Sequence, residues 1–179
     1  MSTRRLQADV FGRQTDFEYS ETWIGYATVA LRVVMGRVLL YPGIQHLSGM
    51  AGFKAATAGT VQGAANSAGN PWSFLFKPMV GMEGILAPLN AWGLFLVGLA
   101  LILGVAVRWS AFWGAVMMLF YWAASFPLQH SLIVDDHVVY AFLLFGLGAF
   151  GAGRILGLDA RIEKTGVVRN NPWLKYFLG

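Results

Sequence analysis

The sequence predicts an all-α integral membrane protein: a bundle of four transmembrane helices with a long outer loop carrying short interfacial helices. Three observations predict it. Hydrophobic residues make up 56% of the 179 residues and charged residues only 12%, where a soluble domain carries about a quarter charged. The apolar residues are gathered into four blocks, each near the roughly 20 residues that a helix needs to cross a bilayer. The basic residues, which bring the net charge to +4, flank these blocks. That placement reads as orientation in a membrane rather than as nucleic-acid binding.

Residues 1–21 read as a polar arm. Arg4 and Arg5 are followed by Asp9, Asp16, Glu18 and Glu21, without the apolar core or cleavage site of a secretory signal. The first span runs from Thr22 to Gly43 and contains Arg32 and Arg37. The second runs from Ile85 to Val107, the third from Trp109 to Leu128 and the fourth from His137 to Leu156. Only Arg108 clearly separates spans two and three, so their turn is tight. Residues 22–157 thus form one transmembrane domain and 158–179 a tail.

The loop at 44–84 has two parts. Gly49 to Ala68 is rich in Ala and Gly, and the stretch from Asn70 to Val80 holds Pro71, Trp72, Phe74, Phe76 and Pro78. One or two short helices on the outer leaflet fit this pattern; a lid packed on the bundle fits it equally. The spans carry small-residue stripes: Gly25, Arg32, Gly36 and Gly43 share one face of span one, and Gly93, Ala100 and Gly104 repeat the pattern in span two. Small residues let helices approach closely in lipid.

Lysine and arginine set the orientation. Arg4, Arg5, Arg13, Arg108, Arg154, Arg161, Lys164, Arg169 and Lys175 fall on one side of an even number of spans, and only Lys54 and Lys77 on the other. The positive-inside rule then places both termini in the cytoplasm. Trp23 and Trp109 mark the inner interface, Tyr41 and Trp92 the outer one.

Arg32 is the most informative residue. A charge near the centre of a span costs about 2.5–3.5 kcal/mol on insertion scales, so carbonyls, a carboxylate, water or an anionic ligand must meet it. Either Arg32 bridges helices through backbone carbonyls, or it lines a polar cavity. Arg37 lies further out, suited to lipid phosphate. His46, His130 and His137 all fall on the outer side, with Glu83, Asp135 and Asp136. Such a cluster suits proton transfer, with Asp136 and His137 the catalytic candidates. The spacings match no zinc motif, so no metal ligands are assigned. An Asp just before a helix also serves as a cap, and one of Asp135 and Asp136 is expected to do only that. The aromatics of span three, Trp122 among them, could face a flat ligand such as a quinone, though such residues more often pack or face lipid. The absence of cysteine excludes thiolate metal sites and disulfides within the chain. No haem attachment motif, phosphate loop or dinucleotide fingerprint is present.

Four segments in order resemble the DoxX family, its archaeal members in particular: Leu31 to Gly36, Asn90 to Gly93 with Leu99 to Gly104 and Arg108, Val134 to Ala141, and Gly151 to Arg154 with Gly157 to Ala160. His46 stands where the family often has Lys, Ala91 where it often has an acid, and Arg37 where it is usually apolar. The resemblance implies a relation to DoxD, a membrane subunit of thiosulfate:quinone oxidoreductase. The expected function is therefore a membrane subunit of a quinone-linked redox complex. Asp136 and His137 would relay protons beside His46, Glu83, His130 and Asp135. Arg32, Arg37, Tyr41, Trp92 and Trp122 would contact a quinone that is not covalently bound. The expected partners are the lipid bilayer, other membrane subunits or further copies of the chain, and no nucleic acid. The alternatives are a non-enzymatic scaffold of a larger membrane complex, and a small transporter or channel.

Overall fold

The structure is a computed structural model and describes residues 3–128 and 133–179. It is mostly helical, with one departure from the all-α expectation. The polar arm is a β-hairpin, β1 (Thr3–Val10) paired antiparallel with β2 (Arg13–Ser20) in the register Val10 to Arg13 through Thr3 to Ser20. Phe11 and Gly12 turn the chain with φ of 54° and 74°, the pair of positive values that a two-residue turn needs to match strand twist. An Arg5–Asp16 ion pair of 2.9 Å crosses it.

Ser20 then caps α1 (Glu21–Ser48) by accepting from the Trp23 amide. The long loop holds α2 (Met50–Asn66) and α3 (Ser73–Phe76), followed by a 3-10 turn at Lys77–Met79. The remaining long helices are α4 (Glu83–Leu103), α5 (Val107–Ala124) and α6 (Asp136–Ala149). A 3-10 turn at Ala152–Arg154, α7 (Asp159–Ile162), α8 (Gly166–Asn170) and a last 3-10 turn at Pro172–Tyr176 follow. By length and composition, α1 and α4 can each cross a membrane, and α6 is a shorter apolar helix.

α1 lies along α4, α5 along α6, and α4 against α5, while α1 also touches α6. Their shared core contains Met35, Leu39, Leu94, Leu101, Met118 and Leu144. The α1–α4 approach is close because glycines face each other. A Cβ on Gly43 would sit 2.5 Å from the Phe95 nitrogen, and one on Gly98 would strike the Leu40 backbone. The stripe expected on span one is therefore a packing seam. On α4 its partner is Gly98, whereas a Cβ on Gly93 would meet only the flexible side chain of Met117.

The loop between α1 and α4 packs as a lid. Ala64, Ala65 and Phe76 are buried against Ala123 of α5, with Trp72 and Trp122 beside them. Buried Asn70 knits the corner. Its Nδ2 donates to the Ala123 carbonyl at 3.0 Å, and its Oδ1 accepts from the Trp72 amide at 2.8 Å.

Two ends follow from this arrangement. The basal end gathers the start of α1, the α4–α5 turn, the close of α6 and the tail. The distal end gathers the α1–α2 corner, the lid, the close of α5 and the start of α6.

Candidate functional site

At the distal end, Asp135 and not Asp136 caps α6. Its Oδ1 accepts from the Val138 amide at 3.1 Å, and its backbone is extended as a cap requires. Its second oxygen, Oδ2, lies 2.8 Å from His137 Nδ1, the geometry of an imidazole N–H held by a carboxylate. Asp136 is more exposed and sits further from the same nitrogen, at 3.4 Å. Tyr121 of α5 presents its ring edge-on to His137, with centroids 5.6 Å apart, and its hydroxyl donates to Asn90 Oδ1 of α4. Three helices thus meet in one polar patch of Asn90, Tyr121, Asp135 and His137. Chemically, the patch holds one oriented imidazole–carboxylate pair and one phenol, groups that pass or accept protons. Oxygen atoms of Asp135 and Asp136 and a ring nitrogen of His137 also lie within 4.8 Å of one another. However, the near nitrogen is already bonded to Asp135.

The other expected members lie apart from this patch. His46 stacks on Phe53 of α2, with ring centroids 3.7 Å apart and planes 4° from parallel. Glu83 sits in the first turn of α4, where a carboxylate complements the helix dipole. His130 falls outside the described residues. Arg37 is exposed and lies over the Tyr41 ring at 4.5 Å. Trp92 is half exposed and meets Phe95 edge-on. Trp122 donates from Nε1 to the Ile133 carbonyl at 2.8 Å and packs against Trp72. No contact among the described residues joins Arg32, Arg37, Tyr41, Trp92 and Trp122 into one ligand site.

Arg32 belongs to the basal end. Its side chain is buried and is met by backbone carbonyls. Nη1 donates to Ala152 at 2.5 Å and to Ile155 at 3.0 Å, and Nη2 to Leu156 at 3.3 Å, while Nε has no partner. Between Arg32's partners and His137 lies the 14-residue length of α6, about 21 Å at helical rise. Gly104 makes room for the guanidinium. It closes α4 with φ of 69°, and a Cβ there would sit 2.9 Å from Nη1, so only glycine satisfies both demands.

Asp159 is the residue whose role sequence reasoning missed. It is fully buried, and its carboxylate accepts from the amides of Ala106 at 2.7 Å, Val107 at 3.0 Å and Gly179 at 2.9 Å. It therefore caps α5 from more than 50 residues away, and it holds Ala106 at its unusual φ of 47°. The tail is stitched to the same turn. The Asp159 amide donates to the Gly104 carbonyl at 2.9 Å and the Trp109 amide to that of Phe177 at 3.2 Å. In sequence Asp159 is an acid among Gly157, Leu158 and Ala160, and its burial follows only from the packing of the tail on the α4–α5 turn.

The fold and its apolar exterior define a helical membrane protein. A DoxX family model matches residues 27–126, and the chain belongs to the DoxX family. The match includes Arg32, Asn90 and Tyr121 and ends before α6, so Asp135 and His137 lie outside it. No curated protein and no solved structure matches the chain.

Proposed function

We propose that this DoxX-family protein is a multi-pass membrane subunit of a quinone-linked redox complex, and that its distal patch exchanges protons with the carrier. All four long helices would span the bilayer as a bundle, with both termini in the cytoplasm and the distal patch at the outer face. What supports the spanning arrangement is the exterior. Leu31, Val34 and Val38 on α1, Ile85, Leu89 and Leu96 on α4, Phe112 and Phe120 on α5, and Phe142 and Phe145 on α6 are all exposed. An apolar belt on every long helix suits lipid and not water. The basal end carries the basic flanks that the positive-inside rule assigns to the cytoplasm.

The observation that carries the redox reading is the Asp135–His137 pair beside the Tyr121–Asn90 bond. A quinone takes up or releases protons with its electrons, and an imidazole oriented by a carboxylate is suited to deliver them. The electrons themselves would come from a partner subunit. In this reading Arg32 holds the bundle together rather than touching the quinone. The test is binding of a short-chain quinone to the purified chain, followed by respiration in cells carrying His137→Ala. Binding that weakens about tenfold or more, with respiration impaired, is expected. A wild-type chain that binds no quinone, with respiration unchanged by His137→Ala, would overturn it.

A scaffold that anchors other subunits is the second reading. It is favoured by the way buried Arg32 and Asp159 are taken up in bonds to the backbone. A variant lacking the His137 imidazole that still assembles and sustains the complex would select it.

A further inference from the structure

The basal end holds an apolar groove that the redox proposal does not use. It runs between the first turn of α5 and the tail, has a volume of about 610 Å³, and is lined by Trp109, Ile162, Val168, Trp173, Leu174 and Phe177 among others. That size falls in the range of small-molecule sites, about 300–1,000 Å³. Its chemistry is two-sided. The lining is apolar, but Arg161, Lys164 and Arg169 stand next in sequence to the lining residues Ile162, Thr165 and Val168. All three cations are exposed, and none forms an ion pair among the described residues. The acids of this region are already engaged. Asp159 is buried against backbone amides, and Glu163 is bonded to Arg154 at 2.5 Å. The segments that line the groove therefore carry three exposed cations with no ion-pair partner among the described residues. Trp109 and Trp173 are half exposed, and both meet Phe177 edge-on, at 4.9 and 5.8 Å. Amphipathic rings of this kind settle at the headgroup level of a bilayer.

We propose that this groove is a binding site for an anionic phospholipid. One acyl chain would lie along the Trp109–Phe177 wall, and the headgroup phosphate would meet Arg161, Lys164 and Arg169. An apolar slot suits the chain, and the unpaired cations on the segments that line it suit an anionic headgroup. The inference takes from the redox proposal only that the helices span a membrane; the quinone chemistry plays no part in it.

The experiment is native mass spectrometry of the full chain in detergent, with added phosphatidylglycerol or phosphatidylcholine of identical acyl chains. One phosphatidylglycerol is expected to stay bound, at about tenfold tighter affinity than phosphatidylcholine, if the three cations meet its phosphate. The triple variant Arg161→Gln, Lys164→Gln, Arg169→Gln is expected to lose that preference. Val167→Asp puts a charge into the groove at an exposed lining position, and is expected to release both lipids while circular dichroism stays unchanged. Equal retention of the two lipids by the wild type would overturn the proposal. So would a preference that survives the triple variant, or a second copy of the chain held at the groove in place of lipid. No quinone enters the measurement, so its failure leaves the redox reading standing, and a chain that binds no quinone leaves this one standing.

Discussion

The two ends of this molecule satisfy their polar groups in opposite ways. At the basal end, Arg32 and Asp159 are buried and bonded to the main chain: carbonyls of Ala152, Ile155 and Leu156 for the first, amides of Ala106, Val107 and Gly179 for the second. At the distal end, Asp135 meets His137 and Tyr121 meets Asn90, side chain to side chain, in partly buried surroundings. A charge locked by backbone groups cannot leave without taking the fold with it. A pair of side chains bonded to one another can be altered while the main chain of the helices stays in place. The basal end is therefore architecture, and the distal end is where the proposed proton exchange is placed.

The sharpest way to break that contrast is at the basal end. Arg32→Ala would leave a cavity and three carbonyls without their donor, and Asp159→Ala would strip three amides of their acceptor. Each buried backbone group left without its partner costs about 1–3 kcal/mol. Thermal unfolding in detergent should show both variants far less stable than the wild type, with activity lost only through folding. A wild-type melting curve for Asp159→Ala would remove the basal end's claim to be structural.

The next largest effect is expected at the seam between α1 and α4. Gly98→Leu would force a side chain against the Leu40 backbone, and overpacking of this kind costs about 1–3 kcal/mol. Gly93→Ala, which meets only the Met117 side chain, should cost much less. Equal losses in the two variants, by the same melting measurement, would show that the seam does not run through Gly98.

At the distal end the expected stability effects shrink while the functional ones grow. Asp135→Ala removes the α6 cap at about 1 kcal/mol, and Tyr121→Phe removes one hydrogen bond at about 1 kcal/mol. His137→Ala should leave the melting curve nearly unchanged and impair quinone-linked respiration. A His137→Ala chain that unfolds as readily as Asp159→Ala would erase the difference between the ends.

The smallest effect concerns the tail. The hydrogen bond from Arg154 holds the Glu163 carboxyl below its usual range, against a smaller opposing effect of partial burial. A carboxylate whose pKa is depressed by folding stabilises the folded state above its unfolded value of about 4.3, and that contribution is lost as pH falls through the folded value. The pair is partly exposed and screened by solvent, so Glu163→Gln should cost under about 1 kcal/mol at neutral pH and nothing at strongly acid pH. Hydrogen exchange of residues 159–165 against pH would check both statements.

Much of the fold is legible in sequence because it rests on composition and spacing. Four apolar blocks foretell the first three long helices to within about five residues at each end, but α6 closes at Ala149, short of the expected Leu156; the glycines of α1 foretell its packing face. Asp135 is legible as a cap candidate because capping is a local matter. The hairpin was not legible as a sheet. Its strands are polar and exposed, so their alternation is faint, and the Phe11–Gly12 turn is a weaker turn signal than Asn-Gly. The partners of Arg32 were not legible either. Backbone carbonyls carry no residue signature, and these come from a segment 120 or more positions away. The same holds for Asp159, which in sequence is one of two acids in a basic tail.

By itself, then, the sequence determined the solvent of this protein, its helical class and the packing face of α1, because hydrophobic blocks and small-residue periodicity act locally and additively. Only the tertiary structure decided which charges are bonded to the main chain and which to other side chains. It carried Arg32 to the basal end and away from His137, brought Asn90 and Tyr121 to the Asp135–His137 pair, and used Asp159 to tie the tail to α5. The physical reason is that a buried charge takes its character from its partners. Those partners are fixed by how the helices pack, not by which residues stand beside it in the chain.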